Sequence, residues 1–208
     1  MQKTLCIYVL DTMADWEIGY FLQAMSMQTM LSKNTPKYTI KTVGQTKNPI
    51  KTLGGLTLTP DWSLEELDDQ EVVALLLPGA NTWQDTTQKS ILDRASTCIE
   101  QGILVAAICG ATLALADLGV LNHRLHTSND LAYLDYFSTP YTGHNLYQNV
   151  PSVVDSSIIT ASSAGGLLWA KHILAYLNVY SPLTLEAWYQ YYLTGDPKYY
   201  TALLSSVK

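Results

Sequence analysis

Leu104-Val105-Ala106-Ala107-Ile108-Cys109-Gly110-Ala111-Thr112 decides the fold. The apolar run reads as a buried strand, and the small residues from Gly110 open a helix with no linker between them. A strand that turns sharply into a helix projects the joint residue from the carboxyl edge of a parallel sheet, where open α/β folds place their sites. That residue is Cys109. Gly110 and Ala111 let strand and helix approach at the turn. Backbone N–H groups at the helix start predict a lowered thiol pKa and a thiolate near neutral pH. The competing reading is an inert, buried cysteine in an ordinary βα turn.

The same alternation extends to both sides of the elbow. Thr4–Leu10 is a continuous apolar strand ended by Asp11, and the N-terminal stretch Met1 to Leu10 reads as that strand rather than a signal peptide. Asp15–Met30 reads as a helix, Tyr38–Val43 as a strand, and Leu53-Gly54-Gly55-Leu56 as a hairpin edge. Ser63 and Glu66 form a capping box. Val72–Leu77 is a buried strand stopped by Pro78-Gly79, and Ser90–Gln101 a helix stopped by Gly102. Ile103–Ile108 and Gly110–Leu118 make the elbow. Leu125–Thr127 reads as extended and Asn129–Phe137 as a helical turn. Leu146–Val150 and Ser152–Val154 are weak strands, followed by strand Ile158–Ala161 and helix Gly165–Leu177. Short buried strands alternating with helices predict a flavodoxin-like three-layer α/β/α sandwich with a mostly parallel sheet. Residues 1–180 form this domain. Residues 181–208, rich in Trp188 and tyrosines, add C-terminal helices to it, Leu183–Leu193 and another from Asp196-Pro197.

Composition bounds the function. The 208 residues are 48% hydrophobic and 14% charged, with a net charge of −6. That balance excludes a disordered chain and leaves large surfaces to bury. The absence of a basic run argues against nucleic acid and against an anionic membrane surface. No apolar run reaches the roughly 20 residues of a membrane span. Three cysteines, Cys6, Cys98 and Cys109, fit no zinc spacing and point to free thiols in a reducing cytoplasm. The histidines form no metal set, and no nucleotide-binding glycine motif is present, so no metal or cofactor is implied. Cys6 in its strand and Cys98 in a surface helix read as inert thiols, and His172 as structural.

Two further segments end at the carboxyl edge. Asp11-Thr12-Met13-Ala14-Asp15-Trp16-Glu17 follows the first strand and can bring a carboxyl to Cys109. Beside a thiolate that carboxyl works best protonated, which predicts a raised pKa and general acid–base duty. The plainer reading has Asp15 capping the helix and Glu17 favouring its dipole. Leu77-Pro78-Gly79-Ala80-Asn81 is a strand end whose N–H groups, with that of Gly110, suit an oxyanion. Trp83, just beyond, and Trp16 are candidate pocket walls.

Together, D-x-x-x-D-W-E, L-P-G-A and A-A-I-C-G-A-T resemble, in order and spacing, the ThiJ/PfpI superfamily of the class I glutamine-amidotransferase-like fold. Gly54-Gly55 with Pro60-Asp61, and Gly119-Val120-Leu121, are similar to further segments of that family. The resemblance spans roughly Thr4 to Val179. It implies a nucleophile at Cys109, a hydrogen-bonding carboxyl at Glu17, oxyanion-type N–H groups at Gly79, Ala80 and Gly110, and a homodimer. Protease-like members carry His directly after the cysteine, where this chain has Gly110. Others carry a His near the end of the next strand. Counting along Arg124-Leu125-His126-Thr127-Ser128-Asn129 puts that slot at Ser128, with His126 on the same side two residues earlier. The amidotransferase His-x-Glu pair is absent, which argues against glutamine hydrolysis.

Three function classes stay open. One is a cysteine-dependent enzyme acting on a small carbonyl or an acyl or amide carbon, glyoxalase-, deglycase- or hydrolase-like. Another is a redox-sensing stress-response protein whose Cys109 meets an oxidant and stops at the sulfinate level. The third is a binding module.

Overall fold

The computed structural model describes residues 3–32 and 35–206. Met1, Met-adjacent Gln2 and the last two residues of the C-terminal helix expectation lie outside them. Seven strands form one sheet: β1 (Lys3–Tyr8), β2 (Tyr38–Gly44), β5 (Trp62–Ser63), β6 (Val72–Leu77), β7 (Leu104–Ile108), β8 (Ser152–Asp155) and β9 (Ile158–Ala161). Their order is β5-β2-β1-β6-β7-β9-β8. Every pairing is parallel except β8 with β9. Strands β3 (Ile50–Lys51) and β4 (Thr57–Leu58) form the expected hairpin apart from the sheet.

The central strands are apolar at nearly every position because both faces are covered. Leu5, Leu75, Leu76, Val105 and Ile159 are fully buried. Helix α1 (Gly19–Ser26) packs against α5 (Gly166–Tyr176). Since β1 leads to β2 on one side and β6 to β7 on the other, right-handed crossovers put α2 (Lys89–Glu100) and α3 (Gly110–Asp117) on the face opposite α1. The result is the flavodoxin-like α/β/α sandwich. Between β1 and β6 the winding reverses, and loops from both strand ends converge there.

Helices α6 (Pro182–Thr194) and α7 (Pro197–Ser205) complete the chain. Ser181 and Asp196 cap them, each followed by a proline in the first turn. Trp188 is fully buried and donates to Gln23 Oε1 at 2.8 Å, and Tyr180 donates to Ala24 O at 2.5 Å. The aromatic tail is therefore packed into the core against α1.

Four local expectations are corrected. The first helix starts at Gly19, not Asp15, and Ile18 caps it without a side-chain bond. Residues 11–18 are spent on a loop in which Thr12 takes a positive φ of 64°. Asp15 binds the Thr52 hydroxyl, tying the hairpin to that loop, rather than capping a helix. Residues 146–150 form no strand and make a single bridge, His126 to Tyr147. Cys98 is buried, not at the surface.

Candidate functional site

The chain passes from β7 to α3 through Cys109 alone, and the turn forces that residue to φ 57°, ψ −125°. For a residue with a Cβ this conformation costs about 1–3 kcal/mol, so the surroundings must hold it. They do. The Cys109 N–H donates to Ala161 O at 3.0 Å, and its carbonyl accepts from the Thr112 hydroxyl at 2.6 Å. A Cβ on Gly110 would stand 2.7 Å from Ala80 O, so only glycine lets the helix start so close to the loop after β6. That loop begins at Gly79. A Cβ there would lie 2.7 Å from Cys109 Cβ, 3.0 Å from its sulfur and 2.9 Å from Glu17 Oε2. Gly79 is the spacer that lets a thiol and a carboxyl share one small volume.

Glu17 is 2% exposed. Its Oε2 accepts the Gly79 N–H at 2.6 Å, while Oε1 is buried with no partner. Burial pushes its carboxyl above the usual range, against the opposing pull of the Gly79 N–H and Cys109. An orphaned buried oxygen is costly as an anion and less so as an O–H that can donate to sulfur. The Gly79 N–H is consumed by Glu17, so it is not an oxyanion donor. The N–H of Gly110 faces the Cys109 sulfur, and the Ala80 backbone lies against Gly110.

Burial also pushes the Cys109 thiol up, outweighing the Asn129 amide and the Gly110 N–H, and the Glu17 charge adds to the rise. The expectation of a lowered thiol pKa is overturned: the helix start and Asn129 do not offset desolvation and a neighbouring carboxylate. Thiol and carboxyl are a coupled pair, and ionising either one strengthens the hold of the other on its proton.

Neither residue proposed for the third position reaches the sulfur. His126 is fully buried, with Nδ1 donating to Arg124 O and Nε2 accepting from the Tyr141 hydroxyl, each at 2.7 Å. Burial lowers its pKa, in keeping with that neutral tautomer. Ser128 donates to the Thr112 hydroxyl at 2.7 Å, supporting the carbonyl side of Cys109. The residue at the sulfur is the next one along. Asn129 Nδ2 donates to Cys109 Sγ at 3.4 Å. Its Oδ1 accepts the Ser163 N–H at 2.8 Å, which fixes the amide's orientation. The sequence offered Asn129 at the end of the counted segment, one place beyond the slot chosen.

A cavity of about 170 Å³ opens beside Ala80 and Gly110, walled by Trp83, Leu113, Tyr133 and Phe137. Trp83 is 2% exposed and donates to Pro78 O at 2.8 Å, so this wall is rigid. Trp16 is 58% exposed and stands in solvent rather than in the wall. His172 holds Ser152 Oγ at 3.0 Å, a structural contact in the β8–α5 packing. Among the described residues, no group of three or more His, Cys, Asp or Glu is placed to hold a metal ion, and no helix is long and apolar enough to cross a membrane.

A model of the DJ-1/PfpI family matches residues 3–175. The uncharacterized protease YoaZ of Bacillus subtilis is 39% identical over 203 residues, 97% of this chain and 96% of its own length. The crystal structure of a ThiJ/PfpI family protein from Bacillus anthracis superposes with a TM-score of 0.94 at 37% identity, covering 99% of this chain and 97% of that one. The DJ-1 superfamily protein Atu0886 from Agrobacterium tumefaciens gives 0.81 at 29% identity, covering 93% and 99%. The first two matches leave room for only a few unmatched residues, so they extend into the C-terminal helices that the family model omits.

Proposed function

Since the chain belongs to the DJ-1/PfpI family, we propose that it is a cysteine-dependent enzyme acting on small reactive carbonyl compounds, with Cys109 as nucleophile and Glu17 as proton carrier. The observation that carries this reading is the buried Glu17 carboxyl beside Cys109, one oxygen held by Gly79 and the other without a partner. Asn129 and Gly110 offer N–H groups to the sulfur, and neither accepts a proton.

The chemistry follows from those groups. With thiol and carboxyl sharing a single proton, the Cys109 thiol passes it to the Glu17 carboxylate, and the thiolate adds to an aldehyde carbon. The oxygen takes the developing charge toward the N–H groups of Gly110 and Ala80. Glu17 returns the proton to that oxygen, leaving a hemithioacetal. With a 2-oxoaldehyde the same carboxylate removes the C–H proton of that adduct and delivers it to the adjacent carbon, while the hydroxyl proton of the hemithioacetal passes to the neighbouring carbonyl oxygen through the enediol. The product is a thioester of a 2-hydroxy acid. Water then cleaves the thioester and restores the thiol, so the net reaction adds one water to the substrate. The cavity of about 170 Å³ against Ala80 and Gly110, next to Cys109 in the chain, has room for a compound of a few carbons rather than a peptide. We place the protein in the reducing cytosol, in keeping with its free thiols, and as a homodimer.

The test is turnover of methylglyoxal. Wild type should form lactate, Cys109→Ala should not, and Glu17→Gln should slow it at least about a hundredfold. No lactate from the wild type would overturn the reading. The oxidant-sensing alternative is favoured by the N–H groups aimed at the sulfur, which suit sulfinate oxygens. It requires peroxide to modify Cys109 ahead of the buried Cys6 and Cys98.

A further inference from the structure

The cavity beside Gly110 has a wall whose polar atom the chemistry of Cys109 and Glu17 leaves unused. Tyr133 lines it, half-buried. Among the described residues Tyr133 meets the Phe137 ring at a centroid distance of 5.3 Å, and its hydroxyl takes no hydrogen-bond partner. Tyr38 and Tyr147, also half-buried, each donate to a backbone carbonyl. A phenol drawn partly out of water and left unpaired keeps its donor free for a ligand oxygen.

The helix that carries Tyr133 is anchored at the sulfur. Helix α4 (Leu131–Phe137) is capped by Asp130, whose side chain accepts the Ala132 N–H at 2.7 Å. The residue before that cap is Asn129, held between Cys109 Sγ and the Ser163 N–H. Tyr133 follows Asn129 by four residues, one helical turn. Side chains on a helix lean toward its N-terminus, so the Tyr133 ring leans back over the turn that Asn129 fixes against Cys109. Its hydroxyl feels the charges of both Cys109 and Asp117. Those residues mark the two ends of α3, so the hydroxyl stands over the helix that gives Gly110 and Leu113 to the same cavity. Burial, with those two charges, holds the phenol above its usual range, and near neutral pH it stays protonated and donates. The cavity's other side-chain donors are otherwise placed. The Trp83 N–H is spent on Pro78 O, the Gln84 amide nitrogen on Phe137 O and Asp117, and Asn81 is exposed. No Lys, Arg or His lines the cavity, so an uncharged oxygen suits it better than a carboxylate.

We propose that Tyr133 is the specificity-determining residue for 2-oxoaldehydes, its hydroxyl donating to the keto oxygen beside the carbon that Cys109 attacks. That role presupposes the proposed attack of Cys109 on the aldehyde carbon, and it adds a second oxygen contact. Gly110 and Ala80 hold the oxygen of the attacked carbon, and Tyr133 holds the neighbouring one. Tyr133 keeps its own proton throughout. Its hydrogen bond strengthens as the C–H proton leaves and negative charge moves onto the keto oxygen. A plain aldehyde offers Tyr133 nothing to bind.

Propionaldehyde is methylglyoxal with a methylene in place of the keto group, so the pair isolates this contact. Both compete with iodoacetamide for Cys109 by forming the reversible hemithioacetal. Mass spectrometry of the labelled Cys109 peptide reads that competition without needing turnover, in a pulse short against substrate depletion. Tyr133→Phe keeps the ring against Phe137. In this variant the methylglyoxal concentration for half protection should rise about tenfold, the loss of one hydrogen bond. Protection by propionaldehyde, and the alkylation rate with no aldehyde present, should be unchanged. The kcat/KM for lactate formation should fall by at least the same factor as protection. Equal loss with both aldehydes, no loss with methylglyoxal, or failure of methylglyoxal to protect the wild type would each overturn the role of Tyr133. Protection by methylglyoxal that depends on Tyr133, but without lactate, would overturn the enzyme reading and leave the Tyr133 contact standing.

Discussion

Asn129 and Cys109 face each other across 3.4 Å, amide nitrogen to sulfur, with the amide held from behind by the Ser163 N–H. An amide in this position donates but does not accept the thiol's proton. In the proposed reaction the proton traffic falls to Glu17, and the pH behaviour of Cys109 is a readout of that division of labour.

Glu17→Gln separates the two duties. The Glu17 charge raises the thiol, so its loss should move the alkylation profile of Cys109 to lower pH. Turnover should nonetheless collapse, because the amide carries no proton. A merely structural Glu17 would change both together. The substitution should also raise Tm at neutral pH. Burial lifts the folded carboxyl above its unfolded value, so its stabilising contribution is full at low pH and lost as pH rises through the folded pKa.

Asn129→Leu removes the sulfur's side-chain donor. Asn129 is exposed, so the fold should survive. Iodoacetamide should react with Cys109 about fivefold more slowly at neutral pH, the value of one hydrogen bond near 1 kcal/mol. Mass spectrometry of the labelled peptide checks it.

Gly79→Ala should abolish turnover and cost about 1–3 kcal/mol in urea unfolding, because the new methyl meets Cys109 and Glu17 at under 3 Å. Gly19→Ala is the control. Nothing lies within 4 Å of a Cβ there, and alanine at the start of α1 should be neutral or stabilising.

Cys109→Gly and Cys109→Ala should differ in stability. Both lose the thiol, but only glycine adopts φ 57°, ψ −125° without strain. The glycine variant should unfold at higher denaturant, by about 1 kcal/mol or more. Equal midpoints would mean that the elbow relaxes once sulfur is gone.

Stability should decline as pH falls below about 6.5, the unfolded value for histidine. Burial lowers the folded pKa of both His126 and His172, so below that point the unfolded chain takes up protons that the native state refuses. The slope of Tm between pH 7 and pH 5 should lessen in His172→Gln.

What the sequence made legible follows from how locally each feature is determined. Val72–Leu77 and Ile158–Ala161 coincide with strands β6 and β9 because an uninterrupted apolar run between polar or proline stops has no other way to be buried. The Ser63–Glu66 capping box forms as read, being a contact over three residues. The start of α1 was misplaced because residues 11–18 answer to distant partners, Asp15 to Thr52 and Glu17 to Gly79. Cys109, Glu17 and Gly79 were legible as a constellation, yet the use of the Gly79 N–H by Glu17 depends on a close approach that no spacing reveals. Asn129 was missed for want of register. The segment before it makes one bridge instead of a ladder, so alternation had no fixed frame for the count.

Trp188 reaches back 165 positions to Gln23, and Tyr180 reaches back 156 to Ala24. A chain emerging from the ribosome exposes the apolar side of α1 long before its cover is made. Those two contacts can form only once residues 180–188 have left the ribosome, so during synthesis this flank of α1 goes without them. Quality control that senses exposed apolar surface would read that flank as unfinished until the final helices dock.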